Sequence, residues 1–145
     1  MRQLTQQMTI SGNSPHTLAF PESAGQTFEA GAPVVLSASG TVQEAATPAA
    51  SLVGVAAMPA TGVTGNKVTV WIANDDTLFG VPMAGAIQAD ISKLVTVKKT
   101  GALWAADRTV AGTFLVMEIG LDIPGNTPYA RGKFLESATQ MAKAA

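Results

Sequence analysis

The sequence predicts a mainly β fold, a small barrel or sandwich, and three observations support this prediction. Between Gln26 and Met83, short apolar runs rich in β-branched and aromatic residues recur, and glycine or proline closes each run. Turn signals separate the runs at intervals of about eight to twelve residues, as in all-β domains. The body also lacks the helical crossovers of about a dozen residues that a parallel sheet needs. A length of 145 residues fits one domain.

The predicted β body occupies residues 26–120, and its strands can be placed in order. Pro82 confines its strand to a sheet edge or a strand end, and Gly54 lies where a side chain would be disfavoured. The run at 113–119 is apolar on both faces, which predicts a central strand covered on both sides. The strands are predicted at 34–36, 41–42, 52–57, 68–73, 78–83, 94–97, 102–104 and 113–119.

The two termini are expected to differ from the body. Residues 1–25 predict an extended N-terminal arm, which is either a frayed terminus or a segment that pairs with a sheet edge or lies on a partner. The arm carries five apolar side chains that we predict as contacts with the partner: Leu4, Met8, Ile10, Leu18 and Phe20. Residues 121–145 predict a loop and then a short helix from Phe134, which must dock or fray because it is marginal alone.

Charge is scarce, and this excludes several classes of partner. Charged residues make up 13% of the chain, against about 25% in typical domains, and the net charge is −1. No basic field for nucleic acid and no polybasic patch for a membrane are present. The sequence contains no cysteine, so it has no disulfides. Without an apolar signal-peptide core or a run of about 20 apolar residues, we expect synthesis in a cytoplasm and no membrane span.

Candidate catalytic and ligand-binding residues are few. His16 follows Pro15 in the predicted arm, which is a poor base for a Ser-His-Asp relay. Asp75-Asp76 suits turn chemistry better than a divalent cation, because no further carboxylate is near in sequence. The glycines at 62 and 65 match neither a phosphate loop nor a dinucleotide fingerprint. We therefore predict no catalytic residues, no metal, no cofactor and no enzymatic activity.

Trp71 is the aromatic residue most suited to contact another subunit. Its strand alternates aliphatic and other residues, and Trp71 lies on the face opposite the aliphatic one. Large aromatic residues often fill pockets at interface hot spots. Trp71, Phe79 and Pro82 are predicted as subunit-interface residues, whereas Phe114 is expected in the core.

Several short motifs resemble the small decoration (cement) proteins of tailed-phage capsids. The chain reads FEAGAPVVL at 28–36, GTV at 40–42, VGVA at 53–56 and KVTV at 67–70. In those families a strand of the AG-x-PV-x-L kind precedes a G-x-V turn, a small-residue loop, GVA and a V-x-V strand. The resemblance covers residues 26–83 and leaves both termini outside it.

The resemblance implies a non-enzymatic β-barrel or β-tulip on the outer surface of a mature icosahedral shell. Such a protein, often a homotrimer, clamps adjacent major capsid proteins against the pressure of the packaged DNA. Two alternatives remain open: another virion part, such as a head–tail connector or a tail- or fibre-associated module, and a small-ligand-binding barrel. The predicted contact with the major capsid protein is through the apolar residues of the arm.

Overall fold

The structure, a computed structural model, describes residues 4–120 and 127–140, and within β1 it describes the backbone alone at residues 5–8. Strands account for 44% of the described residues and helical turns for 5%, which confirms the mainly β prediction. The strands are β1 (Thr5–Thr9), β2 (Thr17–Pro21), β3 (Pro33–Leu36), β4 (Val42–Glu44), β5 (Gly54–Ala56), β6 (Lys67–Ile72), β7 (Thr77–Pro82), β8 (Leu94–Thr100), β9 (Leu103–Asp107), β10 (Phe114–Gly120) and β11 (Tyr129–Phe134). One-turn 3₁₀ helices lie at Gln88–Asp90 and Glu136–Ala138.

The strands form two antiparallel sheets. A six-stranded sheet has the order β1-β7-β11-β10-β8-β9, and a five-stranded sheet has the order β2-β6-β5-β3-β4. One of the two is a half-barrel. The six-stranded sheet curls, because Cα atoms of β9 come within 8 Å of β7 although three strands separate them in the sheet. The five-stranded sheet curls too, since Glu22, directly after its edge strand β2, bridges Val42 of the opposite edge strand β4.

One hydrophobic core joins the two sheets. Alternate residues of the five-stranded sheet, such as Val68 and Val70, are fully buried against aromatic residues of the other sheet. Phe114 lies edge-on to Phe134 with 5.1 Å between ring centroids, so the predicted core role of Phe114 is confirmed. Edge-to-face packing of this kind adds to the free energy gained from burial.

All eight strands predicted in the body are present, with ends that differ by a few residues. Pro82 is the last residue of β7, as its missing N–H requires. β10 lies inside the six-stranded sheet, as predicted, but the predicted cover on both faces is wrong. Met117 is exposed at an irregularity in the pairing with β11, so the outer face of β10 is open.

The predicted N-terminal arm is replaced by sheet structure in the described residues. β1 pairs antiparallel with β7, and β2 pairs with β6 from Thr17–Trp71 to Pro21–Lys67. The apolar residues that suggested an arm instead lie in or directly beside β1 and β2, which are edge strands of the two sheets. Residues 4–21 therefore belong to the body.

The C-terminal prediction also needs correction. Residues 129–134 form β11 between β7 and β10, where the prolines and glycines predicted a loop. β11 needs a glycine at position 132, because the Cβ of any other residue there would overlap the carbonyl oxygen of Leu115 in β10. The predicted helix from Phe134 is one 3₁₀ turn in its described part, and residues 141–145 lie outside the described residues. Gln140 docks this segment through hydrogen bonds with the backbone of Leu36.

Candidate interaction surfaces

Most of the described charged side chains are engaged in separate structural contacts. Lys99 pairs with Glu44 at 2.9 Å, and the Trp104 indole N–H donates to the other carboxylate oxygen of Glu44. Lys98 pairs with Asp107 at 2.8 Å, and this interaction, with hydrogen bonds from Thr109, lowers the pKa of the Asp107 carboxyl. The adjacent residues Lys98 and Lys99 are thus each paired with a carboxylate of the same chain.

Asp90 is a fully buried carboxylate whose partners are all structural. Arg108 donates through Nε to Oδ2 at 2.9 Å and through Nη2 to Oδ1 at 3.2 Å. Lys93 Nζ and the Ile87 N–H each donate at 3.0 Å. The hydrogen bonds from Arg108 and then Ile87 hold the pKa of Asp90 well below its ordinary value, against the opposite effect of burial. Asp90 therefore fastens the 3₁₀ turn at 88–90 to the connection after β9.

Glu22 is the second fully buried carboxylate, and it holds the turn before β6. Thr61 donates its N–H at 2.9 Å and its hydroxyl at 2.6 Å, and the Gly62 N–H donates at 2.9 Å. Burial alone would raise the pKa of Glu22, but these hydrogen bonds outweigh it and lower the pKa. Every oxygen of the carboxylate has a donor, which leaves Glu22 as a structural group.

Asp75 and Asp76 have separate partners and do not converge. Asp76 accepts from both the N–H and the hydroxyl of Ser11 at 2.7 Å, and these bonds lower its pKa. Asp75 lies 3.6 Å from Lys133. In the part of the chain that the structure describes, no three His, Cys, Asp or Glu side chains come together as a metal-ligand group.

His16 borders an open cleft of about 570 Å³ beside β2. Ser14, Leu18, Ile72 and Asn74 also line it. His16 is exposed, and Asp76, which attracts its charge, is already bound by Ser11. The cleft therefore brings together no nucleophile and oriented base of the kind that a catalytic relay requires.

The five predicted contact residues have different environments. Leu4 is 1% exposed in the core of its own chain, so it offers no surface to a partner. Met8 lies in β1, and its side chain is outside the described part. Ile10 is 54% exposed after β1, Leu18 is 45% exposed in β2, and Phe20 is half-buried against the core. The structure brings Leu18 and Phe20 to one edge of the five-stranded sheet.

The predicted subunit-interface residues are less accessible than expected. Phe79 is fully buried and pairs its ring with Phe134 at 6.0 Å, and Pro82 is also buried. Both belong to β7, an interior strand, which is why they face the core or neighbouring strands. Trp71 is half-buried on the outer face of the five-stranded sheet, where its strand neighbours are Val55 and Thr17.

A second apolar surface, the β8–β10 patch, was not predicted. We define it as Ile91, Leu94 and Met117, which are all exposed, and Ile91 and Met117 line a shallow groove of about 250 Å³. Leu94 pairs with Leu115 across β8 and β10, and Leu115 also lines the groove. Ile91 and Leu94 are near each other in sequence but Met117 is far from both, and the pairing of β8 with β10 is what brings Met117 to the same groove.

No protein-family model matches the chain, and no curated protein matches its sequence. Among the described residues, no helix combines the length and hydropathy that spanning a membrane requires.

Proposed function

We propose that the chain is a structural protein of a tailed-phage virion that binds the outer surface of the mature capsid. The observation that carries the proposal is that most of the described charged side chains pair within the chain, while two apolar surfaces remain exposed. The first includes Ile10, which directly follows β1, and the second is the β8–β10 patch. Exposed apolar patches on a charge-poor chain commonly mark protein–protein contacts.

Two surfaces suit a clamp, because such a protein contacts the shell and further copies of itself. We assign the major capsid protein to the surface with Ile10, which is the most exposed of the predicted contact residues whose side chains the structure describes. A homotrimer is the proposed assembly, and the half-barrel with its second sheet would form the tulip-like body. The proposal includes no catalytic activity, no cofactor, and no direct contact with nucleic acid or membrane.

The mechanism is differential binding. A protein that binds the mature lattice more tightly than the immature lattice or free capsid protein stabilises the mature state by that difference in affinity. Contacts that span adjacent capsid subunits would then oppose their separation under internal pressure. No covalent bond is made or broken, so the proposed mechanism requires only that the apolar surfaces are accurately positioned.

Co-sedimentation with mature and immature capsids of the phage that encodes the chain tests the proposal. Saturable binding to mature shells, at a copy number that fits the icosahedral lattice, is expected. Ile10→Asp should weaken binding at least about tenfold, because a carboxylate is costly to bury in an apolar contact. Val110→Asp is the matched control, since Val110 is 48% exposed and lies outside both surfaces.

Absence of binding to either shell would overturn the proposal and favour a connector or tail role. Equal loss of binding in both variants would refute the assignment of Ile10 while leaving the capsid role intact. Circular dichroism of both variants must match the parent, because a folding defect would mimic a lost contact.

A further inference from the structure

One carboxylate fastens the bend at residues 10–13, which follows β1, to the turn between β6 and β7. Asp76 accepts the N–H of Ser11 through Oδ1 and the Ser11 hydroxyl through Oδ2, both at 2.7 Å. Directly beyond the last pair of β1 with β7, the N–H of Ile10 donates to the Asp76 carbonyl oxygen at 2.8 Å. Two consecutive residues of the bend are therefore held by three hydrogen bonds to Asp76.

The turn that carries Asp76 is itself fixed from within. The side-chain oxygen of Asn74 accepts the N–H groups of Asp76 and Thr77, both at 2.9 Å, as in a turn closed by an asparagine. Thr77 is buried at the start of β7. Asp75, the neighbouring carboxylate in the turn, lies 3.6 Å from Lys133 of β11 instead. The Asp76 carboxylate thus reaches the bend from a turn that is anchored to the sheet.

The bend is also closed by hydrogen bonds of its own. Thr9 Oγ1 donates to the carbonyl oxygen of Asn13 at 2.6 Å, and the Asn13 N–H donates to Ser11 Oγ at 3.2 Å. Ser11 Oγ therefore links the bend to Asp76, since it accepts from Asn13 and donates to the carboxylate. Residues 10–13 are all exposed, so these hydrogen bonds rather than burial hold the bend.

We propose that Asp76 is a positioning residue, which holds the exposed Ile10 side chain in place for its contact with the shell. The inference rests on the proposed function, because it adds to the Ile10 contact the group that orients it. Ile10 is 54% exposed, and the residue after it is fixed chiefly through Asp76. A contact residue on a segment that is already ordered avoids the cost of ordering that segment on binding.

Two neighbouring substitutions test this role by co-sedimentation with mature capsids. Asp76→Ala removes both side-chain bonds to Ser11 and keeps the backbone bond to Ile10. It should weaken binding at least about fivefold, because one backbone residue must then be ordered on binding. Asp75→Ala is the matched control, since it removes an equal charge from the same turn. Its affinity should stay within about twofold of the parent, as for an ordinary surface substitution.

A second background separates positioning from a general structural effect. Ile10→Ala removes the side chain that Asp76 is proposed to hold. In that background, Asp76→Ala should cause no further loss of binding, because no contact residue is left to position. If the losses from Ile10→Ala and Asp76→Ala add, Asp76 acts independently of Ile10 and the inference is overturned.

Amide hydrogen exchange on the purified chain tests the same contact without a shell. The Ser11 amide should exchange at least about tenfold faster in Asp76→Ala than in Asp75→Ala, because it loses its acceptor. Equal exchange in the two variants would overturn the inference. If Asp76→Ala does not fold, Ser11→Ala replaces it, since this variant loses the hydroxyl bond alone. Ser11→Ala should bind mature shells more weakly than the parent, and parental affinity would overturn the inference.

The binding results also distinguish failure of this inference from failure of the proposed function. If the parent chain binds neither shell, the proposed function fails, and the positioning role fails with it. If the parent binds mature shells and Ile10→Ala weakens that binding while Asp76→Ala does not, only the role of Asp76 is refuted.

Discussion

Replacing Gly54 by alanine should destabilise the five-stranded sheet far more than an ordinary glycine substitution. Gly54 lies in β5 opposite Ile72 of β6, and it is buried. A Cβ at this position would overlap the carbonyl oxygen of Trp71 and lie 2.9 Å from both the Trp71 carbonyl carbon and Val70 Cγ1. Two of these atoms are backbone, so β5 and β6 would have to separate for a single methyl group to fit.

The expected cost follows from two contributions. Forcing an extra methyl group into a packed interior costs about 1–3 kcal/mol. Separating the strands also weakens neighbouring ladder bonds, such as Ala73 N–H to Val53 O at 3.0 Å, each worth about 1 kcal/mol. The total is on the order of 3–5 kcal/mol. For a chain of this size we expect a fall in Tm of roughly 10 °C.

Urea unfolding followed by tryptophan fluorescence measures this loss, and Gly40→Ala is the matched control. A Cβ on Gly40 meets nothing within 4 Å, but its φ of +80° is unfavourable for alanine, so we expect a loss of about 1 kcal/mol. If Gly54→Ala loses no more free energy of unfolding than Gly40→Ala, the reasoning about the close β5–β6 approach is refuted.

Two further predictions concern the buried carboxylates. Glu22→Gln should lower the urea midpoint at pH 7 because an amide leaves one of the three donors from Thr61 and Gly62 without an acceptor. The folded-state pKa of Glu22 is lowered, so its carboxylate stabilises the fold above the unfolded-state pKa, and this stabilisation is lost as the pH falls. The difference in urea midpoint between parent and variant should therefore shrink in acid. A difference that stays constant with pH would contradict the prediction. Arg108→Gln should lower the urea midpoint more than Lys93→Gln, because Arg108 donates two hydrogen bonds to Asp90 whereas Lys93 donates one. The Arg108 side chain is also less exposed, at 31% against 49% for Lys93. The reverse order of midpoints would show that Lys93 is the main partner of Asp90.

The sequence predicted the structure most accurately where a local residue pattern is compatible with only one backbone arrangement. Alternation in β6 placed Val70 inside and Trp71 outside, as the structure has them. Gly54 and Pro82 also lie where their backbone limits predict, at a close strand approach and at a strand end. Each of these signals depends on neighbours within a few residues or on one missing backbone group.

The parts that were missed depend on partners far away in the chain. β1 and β2 are strands because β7 and β6 lie beside them, and their own polar and proline-rich sequence favours a tail. β11 contains Gly132, which signals a loop locally but is required by the close approach of Leu115. Burial of Leu4, Phe79 and Pro82 was likewise set by strand order, which single-sequence patterns do not provide.

The distribution of charge links these structural contacts to the proposed assembly. Asp90 and Glu22 each accept from several donors and fix a connection against the sheets, whereas Glu44 links β4 to β8 and β9. Those carboxylates are therefore engaged within the chain, and the exposed side chains of the β8–β10 patch are neutral and apolar. Contacts between such surfaces gain little from electrostatic steering and depend on shape and strand register. Accurate placement of the strands that carry these side chains, rather than reactive chemistry, is therefore the property on which the proposed assembly would depend.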